Sequence, residues 1–316
     1  MAEGLVERLL RGDVRALARA ITLVEEGSAR VPAMLRAVYQ RTGRAYVIGI
    51  TGSPGAGKSS LVNVLIDHYR LAGKRVGVIA VDPSSAFSGG AILGDRIRMQ
   101  RHFLDRKVFI RSMANRGHVG GLAEATHDAV DLMDAAGYEI ILLETVGVGQ
   151  DEVEVVDGAD TVCVILVPGM GDDIQSLKAG IMEIAHVFVL NKSDRPGVDR
   201  LQAEVEQMLG LRDWQDAWCP PLVRTVATGA EGIEELCARI ADHRAMGVGG
   251  DAVSRRRREL SRARFMTLLA NRVLAEVVRR VGPARVNEAV EAIAARRRDP
   301  YTAAAEVAAE AGVGDS

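Results

Sequence analysis

The chain has 316 residues, a length that allows one large domain with extensions or two domains. Its 40 basic and 42 acidic side chains give a net charge of −2, so we expect neither nucleic acid nor a membrane as a partner. Three cysteines stand far apart in the sequence and form no C-x-x-C pair: Cys163, Cys219 and Cys237. Because no apolar run has membrane-spanning length and the N-terminal stretch is charged, we expect a cytoplasmic protein.

Residues 1–44 are predicted to form a helical extension. Apolar side chains recur at helical spacing from Leu5 to Val24, and Gly27 marks the end of that run. A third short helix is predicted over residues 31–43, because a proline lies near its start and a glycine at its end.

Residues 45–245 alternate strands and helices. Seven short aliphatic segments are predicted to be strands, and most of them lack the apolar–polar alternation of a half-exposed sheet. This order of elements predicts an α/β fold, a doubly wound and mostly parallel sheet. Ligands of such sheets bind at the carboxyl ends of the strands, and Asp82, Glu144 and Asp194 follow predicted strand ends.

Residues 246–316 are predicted to form a helical arm that begins with a glycine-rich linker. An apolar face of this length needs a partner surface, either the sheet domain of the same chain or a second subunit. The arginine run at 255–258 is compatible with RNA or with a solvated helix face, and Glu259 and the neutral overall charge favour the solvated face. The apolar face is formed by Phe265, Leu268, Leu269, Val273, Val277 and Val281.

The segment "GITGSPGAGKSSL", residues 49–61, carries the pattern G-x-x-x-x-G-K-S of a P-loop. It follows a predicted buried strand and precedes a predicted helix, which is the context that a phosphate-binding loop requires. Lys58 is expected to contact the β- and γ-phosphates, and the Ser59 hydroxyl is expected to bind Mg²⁺. The predicted nucleotide-binding residues of this segment are Gly52, Ser53, Pro54, Gly55, Ala56, Gly57, Lys58, Ser59 and Ser60.

The segment "NKSD" closes a later strand and predicts which base is bound. The Asp194 carboxylate can accept hydrogen bonds from N1–H and the exocyclic amine of guanine, whereas adenine lacks this pair of donors. Asn191 and Lys192 belong to the same segment, and after the next strand we expect backbone contacts to the base from Ala227 and Thr228. The sequence therefore predicts GTP and GDP as the bound nucleotides.

Acidic residues near the predicted strand ends are candidates for binding Mg²⁺, which prefers oxygen ligands. Glu144 ends "YEIILLET", where a Walker-B acid is expected, and Asp82 ends "GVIAVD". Asp95 lies in a glycine-flanked segment and is equally compatible with a helix N-cap. In "ETVG" a Glu replaces the usual Asp of D-x-x-G, and Gly147 is expected to present its N–H to the γ-phosphate. No general base is evident, and the residues expected to contribute to catalysis are Lys58, Asp82 and Glu144.

Three longer segments, residues 82–99, 111–126 and 144–155, resemble the MeaB/MMAA family, also labelled ArgK. Members of this family are G3E GTPases that chaperone adenosylcobalamin-dependent acyl-CoA mutases, chiefly methylmalonyl-CoA mutase. The likeness covers about residues 5–300 and implies a G domain between an N-terminal helical extension and a C-terminal dimerisation arm. It also implies metal and switch roles for Ser59, Asp82, Asp95 and Glu144.

The resemblance implies that hydrolysis, GTP + H₂O → GDP + phosphate, is coupled to a partner. The implied partners are an adenosylcobalamin-dependent acyl-CoA mutase, with methylmalonyl-CoA mutase the first candidate, a cobalamin adenosyltransferase, and a second copy of the chain. The segment "VPGMGDDIQSLKAG" matches the additional switch by which the family couples nucleotide state to the mutase. Its implied contact residues are Asp172, Asp173, Gln175 and Lys178.

Two other functions stay open on the sequence alone. A nickel metallochaperone GTPase needs a C-P-C or histidine-rich metal site, whereas this chain has six scattered histidines and no close cysteine pair. A P-loop small-molecule kinase, which the ArgK label suggests, needs a phosphoryl acceptor other than water, and Asp194 argues against it by selecting guanine. His118, flanked by glycines, is interpreted as structural, with no catalytic role.

Overall fold

The computed structural model describes residues 2–82, 100–114, 121–145, 158–169, 184–211, 214, 218–247 and 251–313, and it contains a sheet of seven parallel strands. Its spatial order is β3-β2-β4-β1-β5-β6-β7. The strands are β1 (Tyr46–Gly52), β2 (Val76–Asp82), β3 (Val108–Ala114), β4 (Ile140–Thr145), β5 (Thr161–Leu166), β6 (Val187–Asn191) and β7 (Leu222–Thr225). The predicted α/β class and the seven predicted strands are confirmed.

Helices flank this sheet and form both terminal regions. Within the described residues they are α1 (Ala2–Leu10), α2 (Val14–Glu25), α3 (Val31–Val38), α4 (Lys58–Leu71), α5 (Gly121–Ala135), α6 (Val198–Leu209), α7 (Ile233–Gly247), α8 (Asp251–Val281), α9 (Pro283–Ala294) and α10 (Pro300–Glu310). Of the helices in this part of the chain, none combines the length and the apolar composition that crossing a bilayer requires.

Both faces of the sheet are covered, which explains the aliphatic strand segments. Successive side chains of a strand point to opposite faces, so each strand contributes to two hydrophobic clusters. On one face, Ile48 and Leu142 pack with Leu61 of α4 and with α7. On the other face, Val47 and Leu143 pack with α2, α5 and α6. Strands buried on both sides have no solvent face, and β1, β4, β5 and β6 are accordingly buried along their whole length.

The N-terminal helices share the second of these clusters. Leu9, Leu17 and Ile21 are fully buried in it together with residues of the sheet. The Asp13 side chain caps α2 by accepting hydrogen bonds from the N–H groups of Arg15 and Ala16, at 2.9 and 3.1 Å. The predicted N-terminal helical extension is confirmed, and its apolar face is stabilised by the core of the sheet.

The third helix is shorter than predicted. It ends at Val38, one 3₁₀ turn follows at Tyr39–Arg41, and the chain then enters β1. The N–H of Thr42 bonds the Tyr39 carbonyl oxygen at 3.1 Å, which closes this tighter turn. The carboxylate of Asp134 in α5 then accepts hydrogen bonds from the N–H groups of residues 43, 44 and 45, at 2.5, 3.0 and 3.0 Å, and anchors the chain where it enters β1.

The chain divides into two compact units, Met1–Val253 and Ser254–Ser316. The second unit contains most of α8 together with α9 and α10, and a proline occupies the first turn of each of the last two helices. Within this unit Arg285 of α9 donates to both carboxylate oxygens of Glu310 in α10, at 2.7 and 2.8 Å. The boundaries predicted at 44/45 and 245/246 stay a prediction.

Candidate nucleotide site

The carboxyl ends of the parallel strands bring most of the described candidate residues to one edge of the sheet. β2, β4 and β1 are neighbours in space and end at Asp82, Thr145 and Gly52. On the other side of β1, strands β6 and β7 end at Asn191 and Thr225. β1 is therefore the central strand of this edge, which is where doubly wound sheets bind their ligands.

Lys58, the first residue of α4, bonds back to the start of the loop between β1 and α4. The Lys58 ammonium group is buried and donates hydrogen bonds to the carbonyl oxygens of Gly52 and Ser53, at 2.5 and 3.0 Å. These bonds hold a buried charge close to the backbone N–H groups at the start of α4. A lysine ammonium group beside a helix N-terminus is an arrangement that suits phosphate.

Two glycines of the loop are required by its geometry. Gly57 has a φ of +93°, and a Cβ there would collide with the amide group of Asn191. Gly52 has a φ of +149°, and a Cβ there would collide with the carbonyl oxygen of Ile165 in β5. Positive φ and close contact both exclude larger residues, so these glycines bring the loop against β5 and β6.

The Ser59 hydroxyl in the first turn of α4 donates a hydrogen bond to the Glu144 carboxylate at the end of β4, at 2.5 Å. Both residues are buried. The residues lie 85 positions apart in the sequence, and the fold joins two of the predicted metal ligands directly. A hydroxyl and a carboxylate are the oxygen donors that Mg²⁺ prefers, so this pair fits the predicted metal.

Asn191 links the predicted base-recognition segment, residues 191–194, to the P-loop. Its amide nitrogen donates to the Ala56 carbonyl oxygen at 2.8 Å, and its amide oxygen accepts from the Thr225 hydroxyl at 3.1 Å and from the Ala227 N–H at 3.2 Å. Lys192 makes a second link, because its ammonium group donates to the Gly55 carbonyl oxygen at 2.7 Å. The P-loop, the end of β6 and the turn after β7 are thus tied together.

The next residues of this segment are Ser193, which is bonded to β7, and Asp194, which is exposed. Ser193 donates through its N–H and its hydroxyl to the Thr225 carbonyl oxygen, both at 3.1 Å. Asp194 comes next and is exposed to solvent, so its carboxylate is accessible to a ligand. Ala227 is buried and Thr228 is exposed in the 3₁₀ turn that follows β7. The base contacts of Asp194, Ala227 and Thr228 stay predictions.

Several predicted residues lie partly or wholly outside the described part of the chain. For Asp82 the backbone is described as the last residue of β2, but its side chain is outside the description. The others are outside it entirely: Asp95, Gly147, Asp172, Asp173, Gln175, Lys178 and His118. Their predicted metal, switch and structural roles stay predictions. In the described ranges no three histidine, cysteine, aspartate or glutamate side chains come together as a metal site.

Three buried threonines at this edge were not identified from the sequence. Thr225 bonds Asn191, and Thr145 donates to Thr51 through their hydroxyl groups at 3.0 Å. All three are fully buried and occupy the last or next-to-last position of a strand. A polar residue at the carboxyl end of an aliphatic strand is a signal that identifies such positions.

A P-loop on the central strand of a parallel sheet, joined to an N-K-x-D segment two strands away, defines the P-loop GTPases. The family described as methylmalonyl-CoA mutase-associated GTPase MeaB matches residues 17–281. The chain belongs to this family, which confirms the resemblance seen in its motifs.

Relatives match over most of the chain. A protein of Pyrococcus abyssi named as a GTPase is 47% identical over 307 residues, 96% of this chain and 95% of its own. The methylmalonic aciduria type A homolog of Caenorhabditis elegans, named as mitochondrial, is 36% identical over 278 residues, 82% of this chain and 70% of its own. A crystal structure described as a LAO/AO transport system kinase has a TM-score of 0.70 and 27% identity, covering 98% of this chain and 96% of its own. With its family established, the chain is a GTP hydrolase that binds guanine nucleotide.

Proposed function

We propose that this GTPase is a chaperone of an adenosylcobalamin-dependent acyl-CoA mutase, with methylmalonyl-CoA mutase as its client. The observation that carries the proposal is the match of residues 17–281 to the mutase-associated GTPase family. The name of the Caenorhabditis elegans relative points to the same metabolism. Nucleotide state then gates the delivery of adenosylcobalamin to the mutase, or the removal of damaged cobalamin from it. A cobalamin adenosyltransferase is a further candidate partner.

The geometry of the nucleotide site supports the binding and hydrolysis of GTP, on which the proposed gating depends. Ser59 and Glu144 would hold Mg²⁺, together with Asp82 and Asp95 as the sequence predicts. When bound, the metal neutralises charge on the β- and γ-phosphates. The chain itself supplies the Lys58 ammonium group and the N–H groups at the start of α4, while Asp194 reads the guanine edge.

The coupling to the client is proposed to follow from the position of Glu144. This residue precedes Thr145, the last residue of β4, and the segment "ETVGVGQDEVEV" begins with it. A γ-phosphate that binds Gly147 would therefore act on a segment that starts at the metal site. GTPases usually signal their nucleotide state through such segments, which become ordered when the γ-phosphate is bound and are released after hydrolysis.

We further propose that the arm of the second unit joins two copies of the chain. Of the predicted apolar face, Phe265 is 60% exposed, while Leu268, Leu269 and Val273 are each more than 40% exposed. Within this unit α8, α9 and α10 also line an apolar groove. The groove adds to the apolar surface that a second copy of the chain would shield from water. Residues of the groove include Met266, Leu269, Val273, Leu274, Val290 and Val307.

The test combines purified chain, GTP, Mg²⁺ and methylmalonyl-CoA mutase. We expect a complex in gel filtration that depends on which nucleotide is bound, and phosphate release that changes when the mutase is added. Lys58→Ala is the matched control, because it removes the phosphate contact and should abolish hydrolysis. A wild-type chain that hydrolyses GTP but neither binds nor responds to the mutase would contradict this client and leave the GTPase assignment standing.

The same assay addresses the kinase alternative. The ArgK label carried by the family suggests an amino acid as the phosphoryl acceptor to try. We expect the same phosphate release with and without an added amino acid. Transfer of the γ-phosphate to the amino acid, detected by mass spectrometry, would favour the kinase instead.

A further inference from the structure

A buried pair of hydroxyl groups lies between the strand that carries the P-loop and the strand that carries Glu144. The Thr145 hydroxyl donates a hydrogen bond to the Thr51 hydroxyl at 3.0 Å, and both residues are fully buried. Burying a hydroxyl costs free energy unless it is bonded, so this contact is maintained in the folded state. Thr51 directly precedes Gly52 of the P-loop, and Thr145 directly follows Glu144.

The pair lies where the backbone pairing of these two strands ends. β1 and β4 are paired up to Ile50 and Glu144, and the threonines are the next two residues in the same register. On their other sides the two strands stay paired for longer. β1 pairs with β5 up to Gly52 opposite Ile165, and β4 pairs with β2 up to Thr145 opposite Val81. The hydroxyl bond thus continues the β1–β4 contact one residue beyond its last backbone pair.

The threonines face away from the metal ligands. Ile50 packs in the cluster that contains α4, and Glu144 meets Ser59 of α4 on that side. Neighbouring residues of a strand point to opposite faces, so Thr51 and Thr145 point to the other cluster. The threonine pair and the Ser59–Glu144 pair therefore lie on opposite faces of the same two strand ends, and the backbone of β1 and β4 connects them.

We propose that Thr51 and Thr145 are positioning residues for GTP hydrolysis. Their bond holds the ends of β1 and β4 at a fixed spacing. Glu144 lies at the end of β4, and Ser59 lies in the first turn of α4, which follows the loop after β1. This inference rests on the proposed binding of Mg²⁺ by Ser59 and Glu144. Because Mg²⁺ demands near-ideal octahedral geometry, a small displacement of one ligand against the other weakens its binding.

The test is the double variant Thr51→Val/Thr145→Val. Valine has nearly the shape of threonine, so the double variant removes both hydroxyls with little change in packing volume. The unfolding temperature of each variant is measured beside that of the wild type, so that Mg²⁺ dependence is compared only between folded proteins. The single variants Thr51→Val and Thr145→Val complete a double-mutant cycle, which measures the coupling between the two hydroxyls.

The readout is the Mg²⁺ dependence of nucleotide binding and of hydrolysis. The affinity for a fluorescent methylanthraniloyl derivative of GDP is measured over a series of Mg²⁺ concentrations, and phosphate release over the same series. In the double variant we expect the Mg²⁺ midpoint of both to rise about tenfold, the lower end of the effect of residues that support metal ligands. Thr51→Ser/Thr145→Ser keeps both hydroxyls and should restore the wild-type midpoint.

Thr161→Val is the matched control. Thr161 is also a fully buried threonine, but it lies at the start of β5, away from the carboxyl edge, and bonds the His243 ring nitrogen at 2.7 Å. Losing this hydroxyl should lower the unfolding temperature and leave the Mg²⁺ midpoint unchanged.

Glu144→Gln separates this inference from the proposal on which it rests. If Glu144→Gln raises the Mg²⁺ midpoint and the double valine variant does not, the positioning role of Thr51 and Thr145 is overturned. If Glu144→Gln leaves the midpoint unchanged, the proposed metal site is wrong, and the positioning role falls with it. A rise in both variants, reversed by the serine pair, supports the inference.

Discussion

Asn191→Ala should destabilise the protein, because one side chain joins three separate segments. Its amide bonds Ala56 of the P-loop, Thr225 of β7 and the N–H of Ala227 in the following turn. The residue is 2% exposed, so water cannot replace these bonds without a rearrangement. At about 1 kcal/mol net for each bond, the loss is about 3 kcal/mol of unfolding free energy.

The assay is urea unfolding of the full chain, followed in parallel by binding of a fluorescent GDP derivative. We expect a lower midpoint and weaker nucleotide binding, since the P-loop and the base-recognition segment are no longer tied through Asn191. Asn287→Ala is the matched control, because Asn287 is exposed on α9 in the second unit. A stability change below about 0.5 kcal/mol, typical of surface substitutions, would refute the reasoning.

Three further predictions test base choice, assembly and thiol chemistry. Asp194→Asn replaces an acceptor by an amide and should weaken GTP while improving XTP in competition binding; an unchanged preference would show that Asp194 does not read the base. A chain ended after Gly250 should be a monomer that binds GTP, and a dimeric mass in light scattering would place the interface elsewhere. Burial raises the pKa of the Cys237 thiol to about 12 and that of the Cys163 thiol above its usual range. Iodoacetamide at pH 8 should therefore modify the exposed Cys219 first. Mass spectra that show Cys237 modified equally fast would contradict this.

Much of the fold was predictable because its signals are local. The strands are continuous aliphatic runs, and a run buried on both faces has this composition whatever its neighbours are. The start of α3 was visible in Pro32, whose fixed φ suits a first turn. The path from α3 into β1 was not predictable in the same way, since residues 43–45 bond the carboxylate of Asp134, about 90 residues further along the chain.

The P-loop was also a local signal. Gly52, Gly57, Lys58 and Ser59 lie within eight residues, and in the structure both glycines have positive φ and Lys58 is buried. Phosphate binding depends on backbone N–H groups of one short segment, so a short pattern is sufficient to specify it.

By itself the sequence determined the class of fold and the resemblance to the mutase-associated GTPases, and it predicts the phosphate-binding loop and the guanine-reading segment. The tertiary structure alone decided which side chains connect these parts: Ser59 with Glu144, Thr145 with Thr51 and Asn191 with Ala56. These partners lie 85, 94 and 135 residues apart. The physical reason is that a hydrogen bond forms only within about 3 Å, and the order and register of the strands, not any local pattern, bring such distant groups that close.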